Sequence, residues 1–178
     1  STDGKNWTRS NITSGTFNAI YYANGLWVTG GPGLYYSTDG KNWTQSNVTS
    51  GMFKSVYYAN GLWVAGSYSD LYYSTDGKNW ILGLSNDASG WIFSVYYGDG
   101  LWVAGCNNGL YYSTNCKTWT RSNITSVSIN SVYYANGLWV AGGYRLYYSE
   151  LPDEGKILQV VDGEWAMTSV TNAEEVAY

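Results

Sequence analysis

Histidine is absent from this chain, and with it the commonest general base and the commonest metal ligand. Charge is scarce: 12% of residues are Asp, Glu, Lys or Arg, and the formal net charge is −4. Nine scattered Lys and Arg form no basic run, so a nucleic-acid backbone is not an expected partner. No stretch nears the roughly 20 consecutive apolar residues of a membrane-spanning helix, so membrane insertion is not expected either. Ser1 already stands inside a repeat, so no secretory leader is expected, and the chain reads as an excised domain or a processed product. Cysteine is limited to Cys106 and Cys116, too few for a disulfide framework. No cofactor and no metal site is implied.

What the chain has in abundance is aromatic surface and glycine. Ten Trp, nineteen Tyr and twenty-two Gly against two Pro suit an all-β protein with many tight turns. They are arranged in repeats. Ser-Thr-Asp-Gly-Lys-Asn-Trp stands at 1–7, 37–43 and 74–80, with a degraded copy, Ser-Thr-Asn-Cys-Lys-Thr-Trp, at 113–119. Between the copies runs Tyr-Tyr-Ala-Asn-Gly-Leu-Trp-Val at 21–28, 57–64 and 133–140, varied to Tyr-Tyr-Gly-Asp-Gly-Leu-Trp-Val at 96–103.

Each unit divides into four short apolar runs; in the second these are Phe53–Tyr58, Leu62–Gly66, Leu71–Thr75 and Asn79–Ser85. Tyr, Trp, Val and Ile favour a pleated surface. Asn60-Gly61 predicts a two-residue hairpin because both turn positions need positive φ, and Asp76-Gly77 is read in the same way. The runs are apolar on both faces, as in sheets sandwiched between neighbours. A helical solenoid is excluded by this chemistry, and three tight turns per unit disfavour a β-solenoid. The expectation is an all-β propeller of four four-stranded antiparallel blades over residues 1–148, followed by a C-terminal extension, 149–178. Residues 1–11 supply a lone outer strand, while 129–148 supply three strands without a fourth. The N-terminal strand is therefore expected to pair beside Leu146–Ser149 and close the ring. A truncated larger ring is the alternative.

The repeated Ser-Thr-Asp-Gly-Lys-Asn-Trp resembles the Asp-box of bacterial sialidase-type (BNR) repeats, also seen in sortilin-like and photosystem-assembly propellers. The family pattern is Ser-x-Asp-x-Gly-x-Thr-Trp, and this chain runs one residue shorter, with Asp39 and Gly40 adjacent. The resemblance implies a propeller and no particular activity, since such boxes are structural and recur in unrelated proteins. The residues themselves agree: an Asp39 carboxylate can accept turn N–H groups, Gly40 permits positive φ, and Trp43 can cover the sheet. Asp3, Asp39 and Asp76 are thus read as structural. In the fourth copy Cys116 replaces the glycine, so that turn is expected to be the most strained. Cys106 and Cys116 flank one strand and are expected to be free thiols.

The tail contains a hairpin pattern around Asp162-Gly163 within 156–167. It resembles segments of phage and prophage tail-fibre proteins, and a homo-oligomer through this extension is one expectation. The resemblance implies a virion or extracellular surface; the residues do not locate the chain.

Strand direction sorts the loops onto two ends. First-to-second turns and Asp-box turns share one end and hardly vary between units. Second-to-third loops and links between units share the other, and there the units differ most, including the link 81–92 with Asn86, Asp87 and Trp91. The diversified loops offer Tyr68, Asp70, Trp91, Asn107, Asn108, Tyr144 and Arg145 as candidate ligand-binding residues, aromatic platforms flanked by hydrogen-bonding groups. Asn18, Lys54, Phe93 and Asn130 stand at innermost-strand positions where a central channel would run, whereas the paired tyrosines and Trp27, Trp63, Trp102 and Trp139 are assigned to the core. The favoured reading is a non-enzymatic module binding a surface glycan or host receptor, in a phage tail or bacterial adhesion assembly. A protein-binding or structural assembly module is the alternative. A sialidase-like glycoside hydrolase is weaker: arginine occurs only as Arg9, Arg121 and Arg145, and Asp70, Asp87 and Asp99 are the only loop carboxylates within the blades outside the boxes. Five Asn-x-Thr sequons, at Asn6, Asn11, Asn42, Asn47 and Asn123, would matter only in a eukaryotic secretory setting.

Overall fold

A computed structural model describes residues 1–84, 90–150, 156–161 and 164–169 of the chain. Within them the regular structure is all β. Strands β1 (Ala19–Ala23), β2 (Leu26–Gly31), β3 (Gly33–Ser37) and β4 (Thr44–Gln45) form the first antiparallel sheet in sequence order. The second is β5 (Ser55–Ala59), β6 (Leu62–Gly66), β7 (Leu71–Ser74) and β8 (Ile81–Leu84). The third is β9 (Ile92–Gly98), β10 (Leu101–Cys106), β11 (Gly109–Ser113) and β12 (Thr120–Thr125). A fourth sheet has three strands, β13 (Ile129–Ala135), β14 (Leu138–Gly143) and β15 (Leu146–Glu150). Strands β16 (Lys156–Val161) and β17 (Glu164–Ser169) form a separate hairpin, and its expected turn at Asp162-Gly163 lies outside the described residues.

The first turn of each sheet follows from its dipeptide. Asn24-Gly25, Asn60-Gly61, Asp99-Gly100 and Asn136-Gly137 all hold positive φ at both positions, which matches the twist of the flanking strands. Registers such as Ala59↔Leu62 and Tyr58↔Trp63 result. The third turn is different from expectation. Asp76 does not take positive φ and only Gly77 does, so the connection from β7 to β8 is a six-residue loop rather than a two-residue hairpin.

Alternation along each strand gives every sheet two apolar faces. One face looks back at the preceding sheet; in the second sheet it carries Val56, Tyr58, Trp63 and Ala65, which pack with Leu26, Val28 and Leu34 of the first. The other looks forward; Tyr57, Leu62, Val64 and Leu71 pack with Val95, Trp102 and Ala104 of the third. A third cluster joins Val103, Leu110 and Tyr112 to Val132, Trp139 and Ala141. The three buried cores are therefore the three junctions between successive sheets.

A tyrosine column threads them. Ring centroids of Tyr21 and Tyr57, Tyr57 and Tyr96, and Tyr96 and Tyr133 lie 5.0, 4.8 and 4.6 Å apart. At each junction the earlier tyrosine also meets the edge of the next tryptophan, Trp63, Trp102 or Trp139, at 6.2 to 6.3 Å. Burial, aided by the linked hydroxyls of Tyr96 and Tyr21, holds the Tyr57 phenol above its ordinary pKa and neutral.

The expected closure of the ring is not present. Residues 1–11 form no strand, and among the described residues β15 has β14 as its only pairing partner, in a sheet of three. Asn11, at the end of this segment, is fastened to the first sheet. Its side chain donates to the Trp43 carbonyl at 3.0 Å and accepts the Trp43 N–H at 2.7 Å, and its backbone N–H reaches Lys41 O at 3.4 Å.

Both cysteines are free and buried, as expected. Cys116 holds a φ of 62°, the left-handed value its glycine counterparts adopt freely. Burial pushes its thiol pKa up to about 12.

Because junction burial carries the fold, Trp102→Ala should cost about 3–5 kcal/mol in chemical denaturation. Leu82→Ala, exposed on the outer strand β8, should stay within about 0.5 kcal/mol. Equal losses would place the core elsewhere.

Candidate functional site

The two ends of the sheets differ as the repeats do. At the uniform end each Ser-x-Asp/Asn turn is wound around one side chain. The Asp39 carboxylate accepts the N–H groups of Asn42 and Lys41 at 2.7 and 2.8 Å, the Asn42 amide at 2.8 Å and the Ser37 hydroxyl at 2.9 Å. The Trp43 indole N–H then closes onto Gly40 O at 3.2 Å. Asp76 repeats this, and in the fourth copy the Asn115 amide oxygen accepts from Lys117 and Thr118. Hydrogen bonds led by the Asn6 and Asn42 N–H groups hold Asp3 and Asp39 well below the usual carboxylate range. At Asp76 partial burial opposes ionisation, and the bonds from Asn79, Lys78 and Ser74 outweigh it. Acids held ionised in this way are poor proton donors.

At the other end, three segments are tied together. The β6–β7 loop, 67–70, meets the residues leading into β9. Ser69 N donates to Gly90 O at 2.8 Å, Gly90 N to Ser69 Oγ at 3.2 Å, and Ile92 N to Ser67 O at 3.0 Å. Asn107 N donates to Trp91 O at 3.1 Å and brings in the β10–β11 turn. Ser69 pays for this with a φ of 63°, a strained conformation for a residue with a side chain. On the surface so fixed, Tyr68 and Trp91 meet edge to face at 5.2 Å, with the Tyr68 ring exposed. Lys54 Nζ lies 5.2 Å above the Trp91 ring and donates to Asn18 Oδ1 at 3.2 Å.

Of the seven residues expected at this end, the structure thus joins Tyr68, Trp91 and Asn107. Asn108 is turned inward: its amide oxygen takes the Cys106 thiol at 2.9 Å, and its carbonyl takes Arg121 Nη2 at 2.9 Å. Asp70 contributes its backbone carbonyl to Ser67 N at 2.9 Å. Tyr144 and Arg145 stand exposed at the β14–β15 turn, two sheets along from the Tyr68 loop. Asn86 and Asp87 lie outside the described residues. Of the four innermost-strand positions, Asn18 and Lys54 join the group, while Asn130 accepts the Ser128 hydroxyl at 3.1 Å.

Comparison with known proteins speaks to the fold alone. No family model and no curated protein matches the sequence. Among solved structures, an ancestral GH74 enzyme is similar with a TM-score of 0.64 at 13% identity over 90% of this chain and 26% of its own. The WD40 β-propeller domain of Doa1 is similar with a TM-score of 0.52 at 9% identity, covering 78% of this chain and 56% of its own. The computationally designed Ika8 protein gives 0.63 at 10% identity over 79% of this chain. This chain spans 48% of Ika8, although it spans 95% of the designed Ika4. The architecture is β-propeller-like.

Sequence reasoning missed one set of residues. Asn47 grips the next sheet as Asn11 does, donating to Trp80 O at 3.0 Å and accepting Trp80 N–H at 2.8 Å. Asn42 closes its own aspartate turn. The Asn-x-Thr pattern at these positions marks structural amides, and the signal was their recurrence at the repeat period.

If the carboxylate is what winds the turn, Asp76→Ala should lower Tm by roughly 5 °C and Asp76→Asn by less, because Asn115 already serves in one copy. The folded pKa lies below the ordinary aspartate value, so this stability is present above about pH 4 and is lost as pH falls through the folded pKa. Thermal melts between pH 7 and pH 2 should show that loss, with a shallower slope in Asp76→Ala.

Proposed function

We propose that this chain is a non-enzymatic recognition module that binds a cell-surface carbohydrate through the end carrying Tyr68, Trp91 and Asn107. The observation that supports it is the exposed Tyr68 ring set edge to face on a half-buried Trp91, held on three interlocked segments and ringed by Lys54, Asn18 and Asn107. A rigid aromatic surface offers a platform for the C–H face of a sugar, and its fixed backbone lowers the ordering cost of binding. The amides and the ammonium group would take the sugar hydroxyls. Asp70, in the same loop as Tyr68, would contribute at the rim, while Asn108 is committed to Cys106 and Arg121, and Tyr144 and Arg145 stand two sheets along. The aspartates of the repeated turns, held ionised by their own loops, favour binding over hydrolysis. The setting we propose is a phage tail or bacterial adhesion assembly, on the outside of a virion or cell. The protein-binding alternative is favoured by one feature, the apolar sheet faces left open at the ends of the stack.

A glycan array probed with the intact chain, Tyr68→Ala and Trp91→Ala tests the proposal. Binding of a defined sugar class by the intact chain, weakened about tenfold or more in each variant, is expected. An array without any bound sugar, or variants that bind as well as the intact chain, would contradict it. Release of sugar from a sialoside would point to an enzyme instead.

A further inference from the structure

Each internal junction joins a forward face to a backward face, and one of each remains unmatched. On forward faces, Leu34 and Leu71 are 0% and 1% exposed, while Leu146 at the same repeat position is 81% exposed. On backward faces, Val56, Val95 and Val132 are 7%, 4% and 4% exposed, while Ile20 is 58% exposed. Tyr133 and Tyr148 lie open on the fourth sheet, and Tyr22 on the first. The outer edge is unmatched as well. Sheets one to three pair a tyrosine of the third strand with the outer strand at Tyr36↔Thr44, Tyr73↔Ile81 and Tyr112↔Thr120. The repeat assigns Tyr148 to Thr8, yet among the described residues β15 has no outer partner and Thr8 lies in no strand. Trp80, gripped by Asn47, is 4% exposed; Trp7, the residue that Asn123 would grip by the same rule, is 79% exposed.

We propose that a second copy of this chain fills these positions head to tail. Residues 1–11 of one copy add to β15 of the other as its outer strand, Trp7 meets Asn123, and the first sheet stacks on the fourth. The interface continues the series of three junctions already formed within the chain, with Tyr133 and Tyr21 as the next rungs of the tyrosine column. Asn11 holds residues 1–11 against the first sheet, so the strand and the backward face travel together as one docking unit. The four sheets cover about half of two larger similar structures, 56% of the Doa1 propeller domain and 48% of Ika8, which fits an arc that another four sheets would complete. Covering the large apolar side chains left open on the two faces removes on the order of 1,000 Å² from water, enough for a specific contact. A heterologous contact of this kind closes when the rotation permits, and two copies would share two identical junctions.

The experiment combines mass with a cross-link. Light scattering of the full chain should give about twice 19.7 kDa. Thr8→Cys with Tyr148→Cys, oxidised, should give a species of two chains on non-reducing gels that dithiothreitol removes, and Cys106 and Cys116, being buried, should give none. Leu146→Glu and Asn123→Ala, both exposed in the single chain, should weaken pairing at least tenfold with circular dichroism unchanged. A monomer in which the two introduced thiols link within one chain would overturn the proposal in favour of closure by the chain's own first residues. A monomer with no link would overturn it too, leaving the fourth sheet to another cover such as the C-terminal hairpin. Both results would leave the carbohydrate reading standing, because the Tyr68 surface lies elsewhere.

Discussion

The contact between the forward face of one sheet and the backward face of the next is the interaction on which the rest of this structure depends. A four-stranded repeat unit with apolar side chains on both faces cannot bury those faces alone. Only a neighbour removes Trp63, Trp102, Val64 and Leu71 from solvent, and each neighbour then presents a fresh apolar face of its own. The tyrosine column and the edge-on tryptophans give that contact a fixed spacing. Stability is thus close to a sum over junctions, as in other repeat proteins.

The outer edges are held by polar chemistry, and this division of labour separates scaffold from surface. Aspartate turns wind the third connection of each sheet, and amides such as Asn47 fasten one sheet's outer strand to the next sheet's turn. These features occupy one end and depend on invariant residues. At the opposite end Phe53, Ile92 and Ile129 enter the junctions, while the loops around them differ between units. There the chain has built a tied aromatic surface around Tyr68 and Trp91, at the cost of a strained Ser69.

Much of the fold could be read from the residues because its determinants are local. Short runs rich in Tyr, Trp and Val gave the strands, and Asn-Gly pairs gave the first turns with their positive φ. The Asp76-Gly77 turn was misread because the same dipeptide serves a longer loop when a side-chain carboxylate supplies the closing bonds. Ring closure was misjudged for a different reason: the repeat says which faces match, and it does not say whether the matching face belongs to the same chain. At the site, divergence between loops pointed to Tyr68, Trp91 and Asn107. Asn108 differs between units just as much, yet it serves to satisfy Cys106 and Arg121, and only geometry separates the two cases. Lys54 and Asn18 were placed on an axis by repeat position, and it is Lys54 over Trp91, with Asn18 accepting from its ammonium group, that joins them to the surface.

The most direct test of sheet-on-sheet stacking is a set of nuclear Overhauser contacts in chain carrying isotopically labelled tyrosine. With centroids 5.0, 4.8 and 4.6 Å apart, ring protons of Tyr21 should show contacts to Tyr57, Tyr57 to Tyr96, and Tyr96 to Tyr133. A spectrum in which these rings contact only residues of their own sheet would contradict the account at its foundation.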